Sequence, residues 1–453
     1  MKKIGILLLL ILSGRVSAQQ NDSVRLQQMF AEIMNNGTCY DNLKYLTKNI
    51  GHRISGSEAS GKAVDWGYEA LVRAGADSVW KQPVLVPDWY RGQESLQFKS
   101  SGNSQFLPLN MISLGNSEGT NGKILEREII CFNNLDEFDL ADRKDIEGKI
   151  VFFNYQFHQD WYATFRGYGD AVKYRSVALN KAARKGADGV IIRSVGTGMH
   201  DAPHTGMVRY EEGVRKIPSL ALGLRSADQL AAACREGSVT VRLRSECTMK
   251  DAVLSYNVIG EIRGSEHPDR FILAGAHLDS WDVGEGAHDD GAGCVQSIEI
   301  IRTFRALNIR PRHTIRIVLF MNEENGVKGG LAYADSARVN NERHLVAIES
   351  DAGGFSPRGI GLVMPEELRQ KVQSWSGLFL PYGVYDFSQE EGGVDISPLG
   401  RQGVPLAGLM PDQQRYFDYH HNAQDVFEAV SHRELKIGAW TMAAFVYLWD
   451  QKM

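Results

Sequence analysis

Beyond its N-terminal stretch this chain has no apolar run that approaches the length of a membrane span, so the mature protein is expected to be soluble, with no part in a bilayer. It also lacks any C-x-x-C pair. The five cysteines, Cys39, Cys131, Cys234, Cys247 and Cys294, are scattered, which argues against zinc held by thiolates. An odd count leaves at least one free thiol, and Cys234 with Cys247 is the only pairing close in sequence. An excess of one charge is missing too. Lys and Arg number 50 against 55 Asp and Glu, with both signs interspersed, so no basic face is offered to nucleic acid. With 43% hydrophobic and 23% charged residues over 453, the composition suits a globular protein of two or three domains.

The one conspicuous apolar run lies at the start. Lys2 and Lys3 precede Ile4 to Leu12, and Val16, Ser17 and Ala18 close the segment before Gln19. A charged head, a short apolar stretch and a small-residue end mark residues 1–18 as a secretory signal peptide rather than a buried helix or a span. The mature protein is therefore expected in the periplasm or outside the cell.

Residues 22–75 read as helices, with Val24, Leu26, Met29, Phe30 and Ile33 at helical spacing and a second set at Leu43, Leu46 and Ile50. Between these and a third helix at 63–74 lies a Gly- and Ser-rich turn, 51–61, containing Arg53, Ser55 and Ser57. It reads as an ordinary loop, and 77–99 as strands interrupted by Pro83 and Pro87. From Leu107 to about residue 250, short strands at 129–132, 149–154, 189–193 and 239–244 surround one helix, 174–185. This segment reads as an inserted β-rich module without catalytic residues, its His200 and His204 lying in a mobile surface loop.

Chemistry gathers on either side of it. The apolar strand at 271–275 ends in His277, Asp279, Asp282, Asp289 and Asp290, after which Val295, Ile298, Ile301 and Phe304 mark a helix. Three more apolar strands follow. His313 to Met321 leads to Glu323 and Glu324, Leu345 to Ile348 leads to Glu349 and Asp351, and Val404 to Met410 leads to Tyr416, His420, His421 and Asp425. Taken singly, each cluster also reads as capping residues, a solvated turn or a surface pair. Jointly they sit at the carboxyl ends of successive strands, where a parallel sheet gathers its loops and places its ligands. Residues 433–448 form an amphipathic helix to cover that sheet.

Two His and at least four carboxylates brought together would repel one another without cations. Two divalent ions balance the charge of three carboxylates plus a hydroxide. Mixed His and carboxylate donors suit catalytic zinc better than magnesium or calcium, and two zinc ions about 3.5 to 4 Å apart could activate water and polarise a carbonyl.

The strings AGAHLDS, AHDDGAG, NEENG, IESDAG and HHNAQD resemble, in order, the zinc-site motifs of the aminopeptidase and glutamate carboxypeptidase family of co-catalytic zinc exopeptidases. HLDSWDVGEGAHDDGAG and GGVDISPLGRQGVP are most similar to its plasma glutamate carboxypeptidase branch. The resemblance runs from about residue 40 to the C-terminus. It implies an α/β fold with a mixed, largely parallel central sheet flanked by helices, built from residues 19–106 and 251–453, with 107–250 as an inserted protease-associated domain. It further implies two zinc ions: His277 and Asp351 on one, Glu324 and His421 on the other, and Asp289 bridging them. Glu323 matches the general base and Asp279 the carboxylate that orients His277. His421 is preferred to His420 because its spacing to Asp425 matches the family's H-T-x-x-D pattern, although Asn422 stands where Thr is usual.

The implied activity is that of an aminopeptidase or dipeptidase on short peptides. A carboxypeptidase is the alternative, with a single-zinc glutaminyl cyclase and an inactive binding domain less favoured because the bridging set and paired glutamates are complete. Homodimer formation is left open. Asp395, Glu390 and Glu391, with Arg401 and Arg415, supply the charges expected to recognise a peptide terminus.

Overall fold

The computed structural model describes residues 21–453 except 103; the signal-peptide assignment lies outside the described residues. One seven-stranded sheet organises the chain. At its centre His313–Phe320, His267–His277, Arg343–Glu349 and Leu406–Pro411 run parallel in that spatial order. Antiparallel strands flank them: Thr248–Ile262 and then Ser78–Tyr90 on one side, Pro357–Val363 on the other.

The central strands are apolar on both faces because both faces are covered. Ile272, Ala274 and Ala276 alternate with Leu273 along one strand and so point to opposite sides. The first set packs with Val295, Ile298 and Phe304 of helix Ala292–Ala306 and with helix His432–Lys452. Leu273, Val318 and Phe320 pack against Tyr333, Ala334 and Ala337 of helix Lys328–Val339. The C-terminal helix starts at Ser431, whose side chain accepts from the Glu434 amide, the usual N-cap arrangement. Midway along it, buried Trp440 donates its indole hydrogen bond to the Leu26 carbonyl at 3.0 Å, tying this helix to the helical segment 21–36. Removing that ring would cost about 3–5 kcal/mol.

A second, eight-stranded sheet builds the other lobe. It begins ahead of the expected boundary at Leu107: strand Glu94–Ser100 pairs antiparallel with Val239–Ser245 and buries Leu96 and Phe98 in the second lobe's core. The lobe is also less purely β than its sequence suggests. Parallel strands Leu125–Phe132, Ile150–Phe153, Gly189–Arg193 and Ser219–Leu222 lie beside helices Thr164–Ala171, Lys173–Ser176, Ala178–Arg184 and Leu224–Glu236. Its disulfide joins Cys131 to Cys234, leaving Cys247 free and buried, so the pairing suggested by sequence proximity is not the one formed.

Candidate metal centre and active-site cleft

Parallel strands end on one edge, and that edge carries the polar residues. His277 closes its strand, Asn322, Glu323 and Glu324 follow Phe320 within a few residues, Asp351 follows Glu349, and His421 lies in the loop after Pro411. Asn322 and His421 adopt positive φ, 74° and 63°. For histidine this conformation costs on the order of 1–3 kcal/mol, which the surrounding contacts must offset.

The side chains converge. Asp289 Oδ1 lies 3.1 Å from His277 Nε2, and its Oδ2 lies 3.3 Å from His421 Nε2. Asp351 Oδ1 is 3.3 Å from His277 Nε2, and Glu324 Oε2 is 3.1 Å from His421 Nε2. The five residues expected from sequence therefore form two pairs either side of Asp289. His420 stacks on His421, but its Nε2 is 3.9 Å from Asp289 and it has no ion pair with Glu324. Asp290, buried beside them across a cis peptide bond from Asp289, spends its oxygens on the backbone amides of His277 and Gly293.

Supporting contacts hold this geometry. Asp425 accepts from the amides of His288 and Asp289, at 2.6 and 3.2 Å, and so fixes the loop that carries Asp289. His277 donates from Nδ1 to the Asp279 carbonyl at 2.9 Å, while the Asp279 carboxylate accepts from the amides of Asn322 and Glu323. Arg53 is wholly buried and donates to the carbonyls of Leu278, Glu285 and Gly286. Its turn, read from sequence as an ordinary loop, is thus a clamp on the 278–286 segment.

Electrostatically the cluster calls for cations. Burial and the neighbouring carboxylates push Glu323 and Glu324 well above the usual range, and burial raises Asp351. The Asp289 oxygen that faces His421 and one Glu324 oxygen are buried with no hydrogen-bond partner among the described residues. Groups drawn from His277, Asp289, Glu324, Asp351 and His421, with Asp290 and His420 as the other members, bring donor atoms within 4.8 Å of one another. Imidazole and carboxylate donors with unsatisfied buried oxygens fit zinc.

The second lobe supplies the facing wall. A cavity of about 630 Å³ opens over Asp289, Glu323, Glu324 and Asp351, and Tyr168, Arg175 and Arg209 line it from that lobe. Arg175 lies 3.4 Å from His421 Nδ1 and meets the Thr205 carbonyl and the Tyr168 hydroxyl. The segment expected to lack catalytic residues therefore completes the cleft. His204 is not on a mobile surface loop: it is 2% exposed and its ring accepts from the Asn422 side chain at 3.0 Å. Asn422, where the sequence pattern would have Thr, joins the His421 loop to the second lobe.

An α/β sheet with this donor set at its carboxyl edge defines a zinc exopeptidase of the kind the sequence motifs imply. Residues 257–446 match the sequence model of peptidase family M28. The chain is 31% identical over 410 residues to carboxypeptidase Q of Homo sapiens, covering 90% of this chain and 84% of that protein. It is 32% identical over 413 residues to carboxypeptidase Q of Xenopus laevis, covering 90% and 85%. A crystal structure described as a peptidase M28 precursor from Shewanella amazonensis SB2B superposes with a TM-score of 0.89 at 34% identity, over 95% of this chain and 97% of that one. The Bacillus subtilis zinc aminopeptidase BSAP shares the fold at a TM-score of 0.64 and 19% identity, over 90% and 94% of the two chains. This chain belongs to peptidase family M28.

Proposed function

We propose that the protein is an exported di-zinc aminopeptidase or dipeptidase acting on short peptides. The observation that carries this reading is Asp289, whose two oxygens face two different histidines at 3.1 and 3.3 Å. His277 and Asp351 would hold one ion, Glu324 and His421 the other, with Asp289 shared. Zinc bound there supplies a polarised carbonyl and a water acidic enough to lose its proton near neutral pH. Glu323, in the cavity wall but outside every donor group, would serve as the base that takes a proton from the attacking water and returns it to the departing amine. Asp279 fixes the Glu323 backbone.

A second reading has its own support. Arg175 is 8% exposed, lines the cleft and, among the described residues, has no carboxylate partner. A buried guanidinium of this kind suits a substrate carboxylate, as a dipeptidase or a carboxypeptidase requires.

Zinc content and substrate blocking separate these readings. The expected results are two zinc ions per chain and loss of hydrolysis when the α-amino group is acetylated. Equal rates on free and N-acetylated dipeptides would make a carboxypeptidase the leading reading, and one zinc per fully active chain would remove the bridged site.

A further inference from the structure

A second chamber adjoins the catalytic one. Its volume is about 950 Å³, and it shares Met207, Arg209, Val327 and Val394 with the catalytic cavity as a common wall. Three side chains lining it are cationic, Arg209, Lys328 and Arg401, and none is acidic. All three are exposed, and among the described residues none pairs with a carboxylate; Arg401 reaches only the Ser397 hydroxyl, at 3.5 Å. Glu211, the one acid that the second lobe gives to the catalytic cavity, is already paired with Arg184. The charged protein groups of the second chamber are thus of one sign, and clustered like charges beside a cleft focus a field on what enters it.

Chain direction says which part of a substrate would enter. Asn325, Gly326, Val327 and Lys328 line the second chamber and continue directly from Glu323 and Glu324. Glu323, on the proposed reading, delivers its proton to the departing amine, so the leaving fragment lies on the Glu323 side of the scissile bond. Leu85 and Leu331, 63% and 40% exposed, give that chamber an apolar wall beside its cations.

We infer that the second chamber is a leaving-fragment subsite that selects peptides longer than two residues with an anionic C-terminal part. The α-carboxylate and acidic side chains one or two residues past the scissile bond would face Arg209, Lys328 and Arg401. This inference rests on the aminopeptidase reading.

The test compares initial rates on Leu-Ala-Asp-Asp and Leu-Ala-Lys-Lys with the zinc-loaded full chain. Leucine should be released from the acidic peptide with a kcat/KM about tenfold higher, the difference lying in KM. In 1 M salt, where screening acts beyond about 3 Å, the ratio should fall toward one. Combining Lys328→Glu with Arg401→Glu should bring the ratio below one, and because both peptides are measured on one preparation, partial misfolding cannot produce that reversal. Equal leucine release from both peptides by the parent, or a ratio that the double substitution leaves unchanged, would overturn the subsite alone. Release of the C-terminal Asp before leucine would overturn the aminopeptidase reading and the subsite with it.

Discussion

The carboxylate of Asp279 binds the backbone of Glu323, not the ring of His277. Its Oδ1 accepts from the Glu323 amide at 3.1 Å and the Asn322 amide at 2.6 Å, and stands 3.9 Å from His277 Nδ1. Asp279→Ala should therefore act on the proton-transfer residue more than on metal affinity. Activity should fall about 10- to 100-fold, the range typical of residues that orient a metal site from behind, with most zinc retained. Asp279→Asn, which keeps an accepting oxygen, should stay near the parent. An alanine variant that is zinc-poor yet fully active in excess zinc would return the role of Asp279 to His277.

Arg53 offers a test of the clamp. Three backbone carbonyls depend on it, at 2.6, 2.9 and 3.0 Å. Arg53→Met keeps the bulk and strands buried acceptors, each worth about 1–3 kcal/mol. The variant should unfold at lower urea and release zinc faster than the parent. Arg53→Lys should recover only part of the loss, because a point charge cannot span three acceptors as a guanidinium fork does. Parent-like zinc retention in Arg53→Met would show that the 278–286 loop holds its shape without the clamp.

The four strand ends were legible because each couples two local signals, an apolar run and the polar residues directly after it. Parallel order then brings these loops together by a general rule, whereas the choice of His277, Asp289, Glu324, Asp351 and His421 among the polar residues gathered there comes from the family resemblance. Arg53 was not legible. Its partners lie 225 to 233 residues away, and neighbouring glycine and serine residues make its turn look like any other. His204 is hidden for a similar reason: Gly-rich surroundings suggest exposure, whereas the ring is buried and hydrogen-bonded to Asn422 of the opposite lobe. The Cys131–Cys234 bond spans 103 residues, and sequence proximity says nothing about pairing at that range.

His344 predicts acid sensitivity away from the metal centre. Its side chain is 1% exposed and its Nε2 accepts from the Tyr333 hydroxyl at 2.8 Å. Burial, with the nearby Arg316 charge, pushes it down to about 3, against a weaker opposing contribution from a Glu342 backbone hydrogen bond. The unfolded imidazole takes up a proton below about pH 6.5, whereas the folded one stays neutral, so stability falls as pH drops through this window. Each pH unit costs about 1.4 kcal/mol until the folded group also protonates. His344→Gln should flatten this loss, so that the parent loses about 2 kcal/mol more than the variant between pH 7 and pH 5. Parallel losses in urea unfolding at the two pH values would mean that this imidazole protonates in the folded state.

Adjacent glutamates should give opposite phenotypes from the same conservative change. Glu324 Oε2 lies 3.1 Å from His421 Nε2 in a side chain that is 2% exposed. Glu323 is part-exposed in the cavity wall and belongs to none of the donor groups. Glu323→Gln preserves shape and removes the base. It should keep its zinc and bind substrate nearly normally, with kcat lowered by about 10² to 10⁴ as expected for the loss of general acid-base catalysis. Glu324→Gln should lose metal instead, because a neutral amide is a poorer ligand for zinc than a carboxylate. Zinc content and turnover measured on both variants read the two roles separately. A Glu323→Gln protein that is metal-poor, or one nearly as fast as the parent, would reverse or remove the assignment, since the first result makes Glu323 a ligand and the second leaves the proton with another group.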